Sequence, residues 1–257
     1  MISFTGEQLN GWITLLFFPL SRVLAFFAVA PIFNNIGLPV RIRLLASIAV
    51  TLGILPLLPA PPAVEIGSGA GLWIIAREMS IGVAMGFAMR IVFSALIMAG
   101  EQIGFQMGLG FAVFYDPQSS AQTPIIAQYF SLLTTLMFLS INGHLMMIST
   151  LAQSFQAIPI GPSALPANAW SNLVLFGGKI FSAGLLFALP VTIALLVTNL
   201  ALGILTKAAP QLNLFAIGFP ITLTAGFAII SLSLNYFSPP LLRLFEEGLQ
   251  MMLGFVP

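Results

Sequence analysis

Residues 99–124 read AGEQIGFQMGLGFAVFYDPQSSAQTP. The first part of this stretch is typical of a helix, and the second part is not. Gly100, Gly104 and Gly108 recur every four residues, which places them on one face of a helix. A face without side chains lets a second backbone come close inside a membrane, so we predict a helix-packing face at these glycines. Because polar residues share the segment, we expect it to face protein or water rather than lipid.

The residues that follow predict an irregular apolar loop. Two glycines loosen the backbone, bulky apolar side chains come next, and Asp116-Pro117 begins a turn. Irregular backbone is tolerated at membrane depth only inside a protein-walled cavity. Two interpretations therefore stand side by side, a loop that enters a lumen and an ordinary connection between two spans. The predicted loop comprises Met107, Gly108, Leu109, Gly110, Phe111, Ala112, Val113, Phe114 and Tyr115.

The composition predicts an all-α, polytopic membrane protein. Of 257 residues, 59% are hydrophobic and 6% are charged, against roughly 25% charged in a soluble domain. The mean hydropathy is +1.07. A net charge of +1 argues against nucleic acid as a partner. The absence of cysteine excludes disulfides, thiolate metal sites and a cysteine nucleophile.

About six long, kinked helices or helical hairpins are expected, at roughly 20 residues for each crossing. Prolines inside or beside the apolar segments predict kinks or breaks. The tail, 239–257, differs because residues 241–252 form an amphipathic helix with an apolar and a polar sector. The six segments are 9–33, 44–58, 72–98, 125–155, 173–205 and 214–237, and the prolines are Pro19, Pro31, Pro190 and Pro220.

Charged residues inside the apolar segments should face protein or water, since charge is costly in lipid. Paired structural charges are favoured over a transport site. The five structural charges are predicted at Arg22, Arg77, Glu78, Arg90 and Glu101. His144 is expected to be a hydrogen-bonded residue at a helix end. Arg41, Arg43 and Lys207 fall on one side of a six-span arrangement, which the positive-inside rule makes cytoplasmic.

No pattern of catalytic or cofactor-binding residues is found in the sequence. The glycines at 108 and 110 lack the lysine and context of a phosphate loop, and HExxH and GxSxG are missing. One histidine among scattered carboxylates does not form a metal-ligand cluster. We therefore predict no enzyme, no cofactor and no metal. A secondary transporter and a structural subunit of a translocation pore stay open, and the concentration of intramembrane charge in the first half favours the subunit.

Three stretches in order resemble the R subunits of type III protein-export gates, the FliR family, which has flagellar and injectisome branches. The stretches are RVLAFFAVAPIFNNIGLPVRIRLLASIAVTL at 22–52, AGEQIGFQMGLGFAVFYDP at 99–117 followed by Asn142-Gly143-His144, and LPVTIALLVTNLALGILTKAAPQLNLFAIGFP at 189–220. The resemblance covers nearly the whole chain in the same order, and the overall texture of the first and third stretches favours the flagellar branch.

The resemblance implies a structural, pore-forming subunit of the flagellar export gate in the bacterial inner membrane. Its helices would be tilted in a helical pore assembly that belongs to the flagellar basal body and projects towards the periplasm. The implied partners are P-type and Q-type gate subunits, the B-type export switch, the A-type export protein and unfolded secreted flagellar proteins. An injectisome gate subunit and, less favoured, a multi-pass transporter are the alternatives.

The resemblance also implies a division of the chain. Residues 1–172 would be a P-subunit-like part that contains the lumen loop at 107–117, and the loop would close the resting pore. Residues 173–257 would be a Q-subunit-like hairpin followed by the amphipathic C-terminal helix. The hairpin tip would include Lys207, Pro210, Gln211 and Asn213.

Overall fold

A computed structural model describes residues 6–34, 37–59, 62, 64–110, 124–163, 167–209 and 214–254. The described residues form helices and no strand. The helices are α1 (Gly6–Val29), α2 (Val40–Ile54) with a short 3-10 turn (Leu55–Leu57), α3 (Gly69–Gln106), α4 (Ile125–Ser140), α5 (Gly143–Ala157), α6 (Ala167–Phe176), α7 (Lys179–Ala208) and α8 (Leu214–Leu253).

Four helical stretches are long and apolar enough to cross a membrane, namely Val40–Leu57, Gly69–Gln106, Asn168–Ala208 and Ile217–Leu253. The bent pair of α4 and α5 makes a fifth if it counts as one span, and α1 contains a shorter apolar helix, Ile13–Val29. The prediction of an all-α, polytopic membrane protein is therefore confirmed.

The chain packs as two compact units that alternate along the sequence. The first comprises Met1–Ile91, Phe138–Gly177 and Phe245–Pro257, and the second comprises Val92–Met137 and Gly178–Leu244. These units describe packing within the chain. The division at residue 172, which concerns likeness to other subunits, stays a prediction.

Each unit has its own apolar core. In the first unit, the fully buried side chains include Phe18, Phe26, Ile81, Met85 and Phe155. In the second unit they include Ile103, Met107, Ala188, Val191 and Leu195. Aromatic edges join helices inside each core, since the ring centroids of Phe138 and Phe245 lie 4.9 Å apart in the first unit and those of Phe187 and Phe237 lie 5.8 Å apart in the second.

The fourth predicted segment, 125–155, is two helices rather than one. They meet at a bend of 68°. Asn142 adopts the left-handed conformation, with φ 56°, at the start of α5. A side chain at Gly143 would lie about 2.5 Å from the ring of Phe138, so the residue after the bend has room only for glycine. The dipeptide Asn142-Gly143 is a strong turn signal that the segment count overlooked.

Three of the four prolines expected to kink or break a helix do not break one. Pro19, Pro190 and Pro220 lie inside α1, α7 and α8, and the helices continue through them. The sixth segment and the tail are likewise one helix, because α8 runs through Pro239 and Pro240. In the tail, the side chains of one sector are buried and Arg243, Glu246 and Gln250 are exposed. The buried set is Leu241, Leu244, Phe245, Leu249 and Met252.

Candidate functional site: buried ion pairs and the 100–110 segment

A cluster of three charged side chains lies in the first unit. Arg22 from α1 donates through Nε to Oε2 of Glu78 at 2.7 Å, and its Nη2 lies 2.6 Å from the same oxygen. Arg77 donates through Nη1 to Oε1 of Glu78 at 2.9 Å. Arg22 and Glu78 are both 0% exposed, so one carboxylate serves two buried guanidinium groups.

The remaining donors of Arg22 reach the end of α5. Nη1 donates to Oγ of Ser154 at 3.0 Å, and Nη2 donates to the carbonyl oxygen of Ile158 at 2.9 Å. The guanidinium carbon lies 4.1 Å from the ring centroid of Phe155. A planar guanidinium with five donors suits such a junction, because this one side chain of α1 bonds to both α3 and the end of α5 and so joins three helices.

Arg77 extends the cluster to the segment after α5. Its Nη1 also donates to the carbonyl oxygen of Pro159 at 3.2 Å, and Nη2 lies 3.5 Å from Oγ of Ser163. Its Nε finds no partner among the residues that the structure describes. Two arginines and one glutamate leave the cluster with one net positive charge, and its geometry is that of a structural junction.

Close helix packing brings these charges together. A side chain at Gly82 would overlap the carbonyl oxygen of Arg22, and one at Gly86 would lie 3.0 Å from the backbone nitrogen of Ala30. The backbones of α1 and α3 therefore touch beside the ion pair, as small residues four apart permit in a membrane. The sequence prediction missed this pair, although the GVAMG motif at 82–86 carries the same signal as the 100–108 glycines.

The other intramembrane charges do not join the cluster. Arg90 is exposed and Glu101 is half-buried. Lys207 is exposed at the end of α7. His144 lies in the first turn of α5, near a helix end as expected, but its buried Nδ1 has no hydrogen-bond partner in the described part of the chain. The expected hydrogen bond is therefore not present there.

Gly100 and Gly104 both face α4 in the second unit, but at different distances. A side chain at Gly100 would lie 2.6 Å from Cα of Ala127 and 2.8 Å from the carbonyl oxygen of Ile126. At Gly104 the nearest atom is Cβ of Ile126 at 3.7 Å, which is an ordinary contact. Gly100 is thus the point of backbone contact.

Gly108 has a different role from the one its spacing indicated, because α3 ends at Gln106. It adopts φ 87°, and its amide donates to the carbonyl oxygen of Phe105 at 3.0 Å. The amide of Leu109 donates to the carbonyl oxygen of Gly104 at 3.1 Å. These two bonds around a left-handed glycine form a Schellman motif, which ends the helix and sets the direction of the chain beyond it.

The residue before this turn is anchored to α8 in the second unit. Met107 is 0% exposed, and its carbonyl oxygen accepts a hydrogen bond from Oγ1 of Thr222 at 3.1 Å. Its side chain fills the space at Gly226, where a Cβ would lie 2.7 Å from the methionine Cε. The base of the predicted loop is therefore held in place at residues 107–109. Phe111, Ala112, Val113, Phe114 and Tyr115 lie outside the described residues, as do Pro210, Gln211 and Asn213 of the predicted hairpin tip.

The described residues contain no group of three His, Asp or Glu side chains arranged to hold a metal ion. The chemistry that the described charges support is thus hydrogen bonding and charge pairing between helices.

Comparison with known proteins places the chain in a family. Residues 13–248 match the model of "Bacterial export proteins, family 1". Flagellar biosynthetic protein FliR of Escherichia coli (strain K12) is 43% identical over 247 residues, which are 96% of this chain and 94% of that protein. FliR of Pectobacterium carotovorum is 40% identical over the same shares of the two chains. FliR of Bacillus subtilis (strain 168) is 30% identical over 213 residues, 81% of this chain and 82% of that protein. The chain belongs to family 1 of the bacterial export proteins.

Proposed function

We propose that the chain is a structural, pore-forming subunit of the flagellar type III protein-export gate, needed for export of flagellar proteins and for flagellum assembly. The observation that carries the proposal is the 43% identity to a flagellar biosynthetic protein over 96% of the chain. The three relatives above all carry flagellar names, which favours the flagellar branch over an injectisome subunit and over a secondary transporter.

The surface of the helices supports a subunit of an assembly. Only 17% of the apolar window in Val40–Leu57 and 22% of that in Ile217–Leu253 are buried within the chain. Lipid or other membrane subunits must cover the rest, because apolar helices are not stable in water. The proposed partners are the P-type and Q-type gate subunits, with the B-type and A-type export proteins and the unfolded secreted chains in contact with the assembled gate.

The proposed site of action is a gate in the bacterial inner membrane that projects towards the periplasm within the flagellar basal body. The chain has no catalytic role in this proposal. Its buried charges support that view, because Arg22, Arg77 and Glu78 bond chiefly to one another and to the chain around them.

The loop at 107–115 is proposed to close the resting pore. Two features of the described residues support this role. The Schellman turn at Gly108 stops α3, and the bond from Thr222 fixes the carbonyl of Met107. A closure that must open for a passing chain needs a fixed base and an irregular apolar tip, and irregular apolar backbone is tolerated at this depth only inside a protein-lined cavity.

Purification of the tagged chain in mild detergent tests the proposed function, with an unrelated tagged polytopic protein as the control. We expect P-type and Q-type export proteins to co-purify with the chain but not with the control protein. A strain without the chain should lose motility and export of flagellar proteins. Recovery of a lone oligomer that binds a small solute, from a strain whose motility does not depend on the chain, would contradict the proposal.

A further inference from the structure

Arg90 lies on the long apolar helix α3 and has no ion-pair partner among the residues that the structure describes. Its side chain is exposed. It makes no hydrogen bond or ion pair with any residue that the structure describes. This sets it apart from Arg22 and Arg77, which lie on the same unit and are bonded to Glu78.

The exposed residues around Arg90 form a continuous ridge on α3. Met79, Val83 and Phe87 precede it at helical spacing, and their exposed fractions are 48%, 43% and 44%. Gly82 and Gly86, which are packed against α1, lie on the neighbouring face of the same helix. The ridge is therefore exposed beside the α1–α3 contact, and we call Met79, Val83, Phe87 and Arg90 the α3 ridge.

Arg90 lies in the interior of a helix that is long and apolar enough to cross a membrane. α3 has 38 residues and is about 57 Å long. Arg90 lies about 4 Å from its midpoint and about 24 Å from its nearer end, at 1.5 Å a residue. Arginines inside membrane-spanning segments are rare, and they usually face protein or water rather than lipid.

We propose that the α3 ridge is the contact surface for a membrane-embedded helix of another export-gate subunit, which places an aspartate or glutamate opposite Arg90. Charge complementarity selects this occupant, because a guanidinium at membrane depth is stable when a carboxylate accepts its paired N–H donors. The three apolar side chains that precede Arg90 in the ridge supply the packing surface for this partner helix. The inference rests on the proposed function, since it needs a gate with other subunits.

Cross-linking from the ridge tests the contact without altering Arg90. A photoreactive phenylalanine analogue replaces Phe87 in the complete complex, and the product is identified by mass spectrometry. We expect one membrane subunit to be cross-linked, through a peptide that contains an aspartate or glutamate. Cross-links to lipid alone would overturn the proposal.

Thiol labelling separates a covered ridge from one that lines a water-filled pore. The chain has no cysteine, so Phe87→Cys introduces a single thiol. We expect a membrane-impermeant maleimide to label it at least tenfold more slowly in the assembled complex than after the complex is dissociated. Equally fast labelling in both states would show that water, not a helix, faces the ridge, and would overturn the proposal, as would equally slow labelling, because lipid or detergent would then cover it in both states.

Charge reversal then tests the carboxylate. Arg90→Glu should lower the recovery of the partner subunit at least tenfold, whereas Arg90→Lys should lower it less than threefold. Reversal of the acidic residue in the cross-linked peptide to arginine should restore recovery with Arg90→Glu. Arg41→Glu, at another exposed arginine, is the matched control and should change recovery less than twofold. An equal loss with the control, or no rescue, would overturn the carboxylate assignment.

The two levels of failure are distinguishable. If the wild-type chain co-purifies with no other export protein, the proposed function is wrong. If the wild-type complex assembles but position 87 meets only lipid or water, the function stands and the α3 ridge is not an interface.

Discussion

At the scale of single residues, Glu78 holds the most consequential position. It accepts hydrogen bonds from Arg22 and Arg77 while it is 0% exposed. Removing the carboxylate charge would leave two buried guanidinium groups without an anion, and a broken buried pair costs about 3–5 kcal/mol. The stability of the first unit therefore depends on this one side chain.

We expect Glu78→Gln to lower the free energy of unfolding by several kcal/mol, because glutamine cannot neutralise either arginine. Thermal unfolding in detergent measures the change. Glu65→Gln is the control, because Glu65 is exposed and should be replaceable without a shift. Equal midpoints for the two variants would contradict the structural role of the cluster.

The glycines of α3 give a second prediction at this scale. Gly100→Ala should destabilise the chain by about 1–3 kcal/mol, the usual cost of overpacking, because the new methyl group meets backbone atoms of Ala127 and Ile126. Gly104→Ala is the matched control and should be close to neutral, since its nearest neighbour is a side-chain atom at 3.7 Å. Thermal unfolding midpoints of the two variants measure the difference. A lower midpoint for Gly104→Ala than for Gly100→Ala would refute the prediction.

The sequence alone shows that charges at membrane depth need partners, but not which partners. Arg22 lies 56 residues from Glu78 and 132 residues from Ser154. Helical spacing is a local rule, and pairing across such separations depends on how the helices pack. The GxxxG-like pair at Gly82 and Gly86 was available as a signal for the α1–α3 contact, whereas the contact of Ser154 had no local signal.

At the scale of elements, the backbone conformation of single residues decides where helices end and begin. α3 stops at a Schellman motif because Gly108 adopts a left-handed conformation that side chains disfavour. α5 begins after Asn142 for a related reason. The prolines inside α1, α7 and α8 do not end those helices, because neighbouring helices and side chains can satisfy the freed backbone groups in a membrane protein.

Gly108→Ala should weaken the end of α3 by about 1 kcal/mol or more, since alanine at positive φ is strained. Hydrogen exchange of the Leu109 amide, which donates to Gly104, should become faster. Gly110→Ala is the control, because its new methyl would meet only the ring of Phe105, which can move. Unchanged exchange in Gly108→Ala would show that the turn does not need glycine.

The tail gives the other prediction for an element. Phe245 is 1% exposed and packs on Phe138, so Phe245→Glu buries a charge and removes an aromatic contact. We expect a loss of at least the 3–5 kcal/mol typical of a deleted core phenylalanine. Glu246→Lys changes the adjacent exposed residue and should leave the unfolding midpoint nearly unchanged. Similar losses in both variants would indicate an electrostatic contact instead.

At the scale of the whole molecule, composition and apolar segments are enough to predict the fold class and most spans. They do not predict the two interleaved units, because neither the segment lengths nor the charges state which helices pack together. The 107–109 base of the loop is likewise a tertiary feature. It depends on Thr222 and Gly226, more than 100 residues further along the chain.

Deletion of residues 110–115 should leave the gate assembled but permeable to small ions, if the loop closes the resting pore. A closed, apolar constriction excludes ions by remaining dry, and each elementary charge that leaks dissipates about 2.3 kcal/mol per 100 mV. Conductance of single complexes in planar bilayers measures the leak, and co-purification of the partners checks assembly. An assembled deletion variant as tight as the wild type would show that another element seals the pore.

The bend at Asn142 bears on the number of membrane crossings that the chain makes. α4 and α5 have 16 and 15 residues, about 24 and 22 Å, so neither alone crosses a core of about 30 Å. Between Arg41 and Lys207, three other described stretches are long and apolar enough to cross a membrane, namely Val40–Leu57, Gly69–Gln106 and Asn168–Ala208. An odd number would put these basic residues on opposite faces. If Arg41 and Lys207 share one face, as the positive-inside rule predicts, α4 and α5 together make a fourth crossing.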